Sequence, residues 1–147
     1  MGTSFVKINE CGFWMLDSVL ELWLRLLALH IEDPMEPGSV ASKIRDQWLL
    51  ASRGSYNGCI PICLDEDIAT EDGKQIVRAA ILSLLKALVQ SPLTLGKDTL
   101  NLLGIDGNIG RDIETMRLIE VGRAFLELID GKITSTARDT SFMPGCQ

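Results

Sequence analysis

Residues 13–31 read FWMLDSVLELWLRLLALHI, and they are apolar around most of a helical wheel. Asp17, Glu21 and Arg25, each four residues from the next, form a thin polar line on one side. A helix that is apolar over most of its circumference has to be covered by other protein or by lipid. The stretch therefore predicts a central helix with neighbouring helices packed around it.

The same stretch is long enough to cross a bilayer, but its charges argue against a membrane span. Asp17, Glu21, Arg25 and His30 would put four ionisable side chains into the bilayer, where charged groups are costly. The first ten residues also lack the basic start, apolar run and cleavage site of a signal peptide. We expect a soluble protein that makes no membrane contact.

Length and composition fit a single folded domain. The chain has 147 residues, and 46% of them are hydrophobic, which is enough for a substantial core. Only 5% are aromatic while Leu is frequent, a balance that favours helices over sheet. The net charge of −6 disfavours nucleic acid, because sequence-independent binding to it needs a basic surface. The same charge suits a basic protein partner.

Turn and cap residues divide the middle of the chain into further helices. Ser39 is a good N-cap for a helix that runs to Arg53 and ends at Gly54. Thr70 caps the next helix, which has acidic residues in its first turn and is ended by Pro92. These boundaries predict two amphipathic helices joined by a long connection.

The last third of the chain predicts a short helix, a long helix and a tail. Residues 98–103 suit a short helix, and Asp112 is a suitable cap for a helix over about 113–130. The polar run after Lys132 lacks periodicity. We therefore expect one helical domain over residues 1–132 and a loosely ordered, dispensable tail over residues 133–147.

Together these elements predict an all-α fold, an irregular bundle of four to five helices around the apolar helix of residues 13–31. The sequence also leaves open a short strand pair around Cys59–Leu64, which would not change this fold class.

The connection over residues 54–69 is the best candidate for a functional loop. Two glycines and a proline interrupt any helix there, and loops of this length are often functional. Arg and Tyr are frequent where partners dock, and carboxylates attract basic surfaces. The acidic run also fits a plain solvated turn before a helix. The partner-binding residues that we predict are Arg53, Tyr56, Asn57, Asp65, Glu66 and Asp67.

The sequence lacks a recognisable catalytic or metal-binding pattern. His30 is the only histidine, and no Gly-x-Ser-x-Gly motif supplies a nucleophile for it. Cys59 and Cys63 are separated by three residues instead of the two of a redox pair, and no spacing adds two further zinc ligands. The glycine-containing loop after Asp106 fails the calcium pattern, and no phosphate-binding loop is present. We predict no catalytic residue, no metal and no cofactor.

The four cysteines are too few and too irregularly spaced for a disulfide scaffold. They predict reduced thiols and a cytoplasmic protein.

These observations favour a small protein that binds another protein and has no catalytic activity, as immunity and inhibitor proteins do. The alternative is a small enzyme or small-ligand binder with a pocket under the 54–69 loop. The broadly apolar first helix also predicts a homodimer, which would bury part of that helix or of the helix after Thr70.

Overall fold

The chain begins with a β-hairpin, which the all-α prediction did not contain. In the computed structural model, which describes residues 2–32, 36–54, 56, 58–105 and 109–146, strands β1 (Thr3–Ile8) and β2 (Cys11–Leu16) pair antiparallel along their full length. Helix α1 (Asp17–Leu29) follows β2 directly. The prediction of an all-α bundle is therefore wrong, and the fold is α+β.

The apolar stretch of residues 13–31 is divided between a strand and a helix. Its first four residues belong to β2, and a short apolar run with no polar position cannot be assigned to helix or strand by periodicity. The signals for a hairpin lie just before it. Asn9 has a φ of 54°, in the left-handed region that Asn adopts more readily than most residues. A Cβ on Gly12 would lie 1.9 Å from the carbonyl oxygen of Val6, so only glycine fits there.

The remaining elements are mainly helices. The helices are α2 (Val40–Ala51), α3 (Leu64–Asp67), α4 (Glu71–Val89), α5 (Lys97–Asn101) and α6 (Thr115–Ile129). Strands β3 (Thr94–Leu95) and β4 (Ile113–Glu114) form a second antiparallel pair. Residues 59–63 are irregular, so the strand pair considered around Cys59–Leu64 is not formed there.

Two of the predicted helix caps are confirmed, and the third is wrong. Ser39 accepts a hydrogen bond from the backbone of Ser42 at the start of α2. Thr70 caps α4 in the same way. Helix α6 instead begins after Glu114, and the carboxylate of Asp112 accepts a hydrogen bond from Lys97 N, 2.9 Å away, at the start of α5. A side chain that spacing assigns to one helix as its cap can instead bond the start of another helix, which sequence spacing does not reveal.

Helix α1 occupies the centre of the core. Eight of its thirteen residues are buried, and it packs against β2, α2 and α4. The ring of Trp23 lies 5.6 Å from the ring of Phe125 in α6. Among the described residues, no helix combines the length and the apolar character that a membrane crossing requires.

The C-terminal segment of residues 133–146 runs beside the free edge of β2. Gly12 N donates to the carbonyl of Ser135 (2.8 Å), and Trp14 N donates to that of Phe142 (3.1 Å). The indole of Trp14 donates to Ala137 O, 3.3 Å away. The boundary between the domain of residues 1–132 and the tail of residues 133–147 stays a prediction. The hydrogen bonds described here attach the C-terminal segment to the hairpin.

Candidate functional site

Buried hydrogen bonds attach the irregular connection after α2 to the hairpin. The hydroxyl of Ser4 donates to the carboxylate of Asp17 (2.6 Å) and accepts from the backbone of Ile60 (2.9 Å). The second oxygen of Asp17 accepts from the backbone of Gly58, 2.7 Å away. Both side chains are buried. Two points of an otherwise irregular loop are therefore fixed to the start of β1 and α1.

The acidic run that follows the loop forms α3, and two of its three carboxylates make contacts within the protein. The carboxylate of Asp65 accepts from Asn9 N in the hairpin turn, 2.7 Å away. Asp67 is only 6% exposed and accepts from the indole of Trp48 at 3.2 Å. Burial raises the pKa of Asp67 to about 6. The hydrogen bond from Trp48 acts in the opposite direction, whereas the negative charge of Glu66 adds to the rise. Asp67 therefore faces the core, and Asp65 and Glu66 are exposed.

The other predicted docking residues have different surroundings. Arg53 is exposed just after the end of α2, whereas Tyr56 is half-buried and packs against the core. Asn57 lies outside the described residues. The structure thus leaves Arg53 and Glu66 fully available to a partner and Tyr56 partly so.

Two further acids follow this run closely in the sequence, although they were not among the predicted partner-binding residues. Glu71 and Asp72 in the first turn of α4 are exposed, as Asp65 and Glu66 are. None of these four carboxylates makes an ion pair with a described residue. The ion pairs between described residues join Lys7 to Glu10, Arg45 to Asp46 and Arg78 to Asp130. We call these four residues (Asp65, Glu66, Glu71, Asp72) the acidic edge.

The two loop cysteines do not form a reactive or metal-binding group in the described structure. Both are thiols, Cys59 exposed and Cys63 half-buried. Burial raises the pKa of Cys63, and the nearby carboxylates of Glu66 and Asp67 raise it further, which lowers its nucleophilicity. No three His, Cys, Asp or Glu side chains of residues 2–32, 36–54, 56, 58–105 and 109–146 meet as a metal-binding group.

One cavity contains the contact that most resembles a nucleophile with its base. His30 Nδ1 lies 2.9 Å from the hydroxyl of Ser83, at the wall of a cavity of about 510 Å³ between α1, α2 and α4. Burial lowers the pKa of His30, which favours the neutral ring that a general base needs. Ser83 lies in the middle of α4, however, where backbone N–H groups bond within the helix and cannot stabilise an oxyanion. The pair joins α1 to α4 and lacks the rest of a hydrolytic site.

Two further cavities lie on either side of α6. One, of about 540 Å³, is at the start of the helix and includes Arg111 and Arg117 in its lining. The other, of about 620 Å³, lies between the exposed face of α6 and the C-terminal segment and includes Arg123 and Phe142. The pocket predicted under the 54–69 loop is not among these three cavities. The predicted start of the last helix at about residue 113 placed Arg117 in its second turn, so sequence spacing did not indicate this arginine pair.

A scan against protein-family models, a search of curated proteins and a search of solved structures each found no significant match to this chain.

Proposed function

We propose that this protein binds another protein and that its docking surface is the acidic edge together with Arg53 and Tyr56. The observation that carries the proposal is that the acidic edge is exposed and that none of its carboxylates makes an ion pair with a described residue. Four carboxylates close together in sequence produce a negative potential that attracts a basic surface and speeds its association. A partner with a basic face is the occupant that this chemistry fits.

The attachment of the loop to the core supports the same proposal. The bonds from Gly58 and Ile60 to the buried Asp17 and Ser4, and the bond from Asn9 to Asp65, hold the segment before any partner arrives. A surface that is ordered in advance loses less conformational entropy on binding. Immunity and inhibitor proteins work through such preformed surfaces and need no catalytic group.

Arg53 and Tyr56 are the residues that we expect to contribute most binding energy beside the acids. Both types are frequent among the few interface residues whose truncation costs much affinity. Arg53 is exposed, and the half-buried Tyr56 is held by the core, so little entropy is lost when a partner covers it.

We also propose a cytoplasmic location. The four cysteines are unpaired thiols, which suits a reducing compartment.

The proposal is tested by capture from a lysate of the source organism with quantitative mass spectrometry. Wild type should retain a protein that Glu66→Lys and Glu71→Lys lose, because each reversal replaces attraction by repulsion. Raising the salt concentration should slow association of wild type more than that of either variant.

Matched controls reverse charges in equivalent positions elsewhere. Asp98 lies in the first turn of α5 as Glu71 does in α4, and Glu114 is an exposed acid at the start of α6. Asp98→Lys and Glu114→Lys should retain the partner, and all four variants should melt within a few degrees of wild type. Equal loss with the control pair, or no protein retained by wild type, would contradict the proposal.

A further inference from the structure

The cavity at the start of α6 is formed by three segments that are distant in sequence. The end of β2 and first turn of α1 form one side, residues 109–118 form a second, and Gly145 of the C-terminal segment contributes a third. Its volume of about 540 Å³ lies in the range of small-molecule sites. Most of its wall is apolar, with side chains from Leu16, Val19, Ile109, Ile113 and Leu118.

Two arginines are the only charged side chains in the described lining. Arg111 is exposed, while Arg117 is half-buried and its Nε atom is buried without a hydrogen-bond partner. Neither makes an ion pair with a described residue. A buried guanidinium nitrogen that has lost water and gained no partner is unfavourable. An anion in the cavity would compensate the positive charge of the guanidinium group to which this nitrogen belongs.

The position of Arg117 in α6 adds a second unfavourable contribution to the free energy of its charged side chain. It is the third residue of the helix, where the helix dipole presents its positive end. The first turn of α4 carries Glu71 and Asp72 at this place, whereas α6 has no acid in its first turn and Glu114 makes no side-chain cap bond. Positive charge therefore accumulates beside the cavity with nothing in its described lining to neutralise it.

We propose that this cavity binds the carboxylate of a small molecule with an apolar body. A guanidinium matches the geometry of a carboxylate and can donate two parallel hydrogen bonds to it. Arg117 would hold the carboxylate, and the exposed Arg111 would contribute charge at the entrance. The apolar wall would cover the rest of the ligand. A small inorganic anion would leave that wall empty, and an uncharged molecule would leave Arg117 unpaired.

Sodium octanoate is the probe, and isothermal titration calorimetry on the full chain is the measurement. We expect one octanoate per chain, with acetate and 1-octanol each binding at least tenfold more weakly because acetate lacks the apolar body and octanol lacks the charge. At about ten times its Kd, octanoate should raise the melting temperature by roughly 3–6 °C. Inorganic phosphate should produce no comparable shift.

The variants locate the site. Arg117→Met keeps the aliphatic stem and should weaken octanoate binding about ten- to a hundredfold, the usual loss for a charge-assisted hydrogen bond. Arg111→Gln alters an exposed residue, so it tests the site even if Arg117→Met folds poorly, and it should weaken binding several-fold. Arg123→Met removes a charge from the same helix outside this cavity and should bind as wild type does. Ser18→Trp fills the cavity from an exposed position and should abolish binding.

Three outcomes would overturn the proposal. The first is the absence of octanoate binding to wild type. The second is equal binding of octanol, which would show that the arginines do not recognise an anion. The third is binding that persists in Ser18→Trp and both arginine variants, which would assign octanoate to another part of the protein.

Discussion

At the scale of single residues, Asp67 differs most from the role that its neighbours in sequence indicate. It is the third acid of an acidic run, yet it is buried and accepts a hydrogen bond from the Trp48 indole. Removal from water disfavours its charged form, and the pKa of Asp67 rises from 3.8 to about 6. The same run therefore contains two exposed acids and a buried acid that joins α3 to α2.

This pKa predicts a specific dependence of stability on pH. Between about pH 4 and pH 6 the folded protein binds a proton at Asp67 that the unfolded chain releases, so this group's contribution to stability falls as the pH rises through that range. Asp67→Asn cannot ionise and still offers an oxygen to Trp48. We expect its melting temperature to exceed that of wild type by about 2–4 °C at pH 7.5, the shift that ~1 kcal/mol produces in a chain of this size.

The difference between Asp67→Asn and wild type should shrink as the pH falls from about 6 to about 4, because the carboxyl of the folded wild type becomes protonated over this range. Asp98→Asn, at an exposed position of α5, serves as the control and should change the melting temperature little at any pH. An Asp67→Asn protein that is less stable than wild type at pH 7.5 would show that the charged carboxylate is needed by Trp48.

At the scale of elements, the hairpin and the C-terminal segment depend on each other. The free edge of β2 presents backbone groups that need partners, and residues 135 and 142 supply carbonyls to them. The ring of Phe142 also lies 6.0 Å from that of Phe13, at the edge of the core. Pro144 and Gly145 are buried as well. These contacts oppose the expectation that residues 133–147 are dispensable.

We predict that deletion of residues 134–147 lowers the melting temperature by more than 5 °C. The deletion unpairs the backbone of Gly12 and Trp14 and uncovers Phe13, and each lost buried bond costs about 1 kcal/mol. Differential scanning calorimetry of the truncated and full chains measures the effect. Deletion of Gln147 alone is the control and should change nothing. An unchanged melting temperature after the long deletion would support the original expectation of a dispensable tail.

At the scale of the whole molecule, the apolar surface available for self-association lies on α4 more than on α1. Most of α1 is covered by its own neighbours. Leu82 and Val89, two turns apart on α4, are 50% and 70% exposed, and Leu93 beyond the helix is 90% exposed. The homodimer thus stays a prediction, and its interface is now expected on this face of α4.

Light scattering at micromolar concentration measures the mass of the particle against 16.2 kDa for one chain. We expect twice that mass for wild type and the mass of one chain for Val89→Lys, because a charge at a symmetric apolar contact repels its copy. Leu102→Lys, at a position that is 86% exposed just after the end of α5, should remain dimeric. A wild-type mass of one chain that persists on concentration would contradict the homodimer.

The sequence by itself determined the elements whose signals are local. The caps at Ser39 and Thr70 and the helical spacing of apolar residues in α2 and α4 were predicted. Of the connection between these helices, residues 59–63 are irregular as predicted, whereas Leu64–Asp67 form α3. The caps and the helical spacing each depend on groups within one or two turns of one another, so spacing along the chain is sufficient.

The tertiary structure decided everything that depends on distant partners. Residues 13–16 became a strand because they pair with β1 on one side and meet residues 135–142 on the other, and the bond from Ser135 to Gly12 spans 123 positions. The buried position of the Asp67 side chain depends on the hydrogen bond from Trp48, which lies in another helix. The arginine-lined cavity needed α1, α6 and Gly145 together. Such contacts leave no periodic trace in the sequence, because their energy depends on packing in space instead of on spacing along the chain.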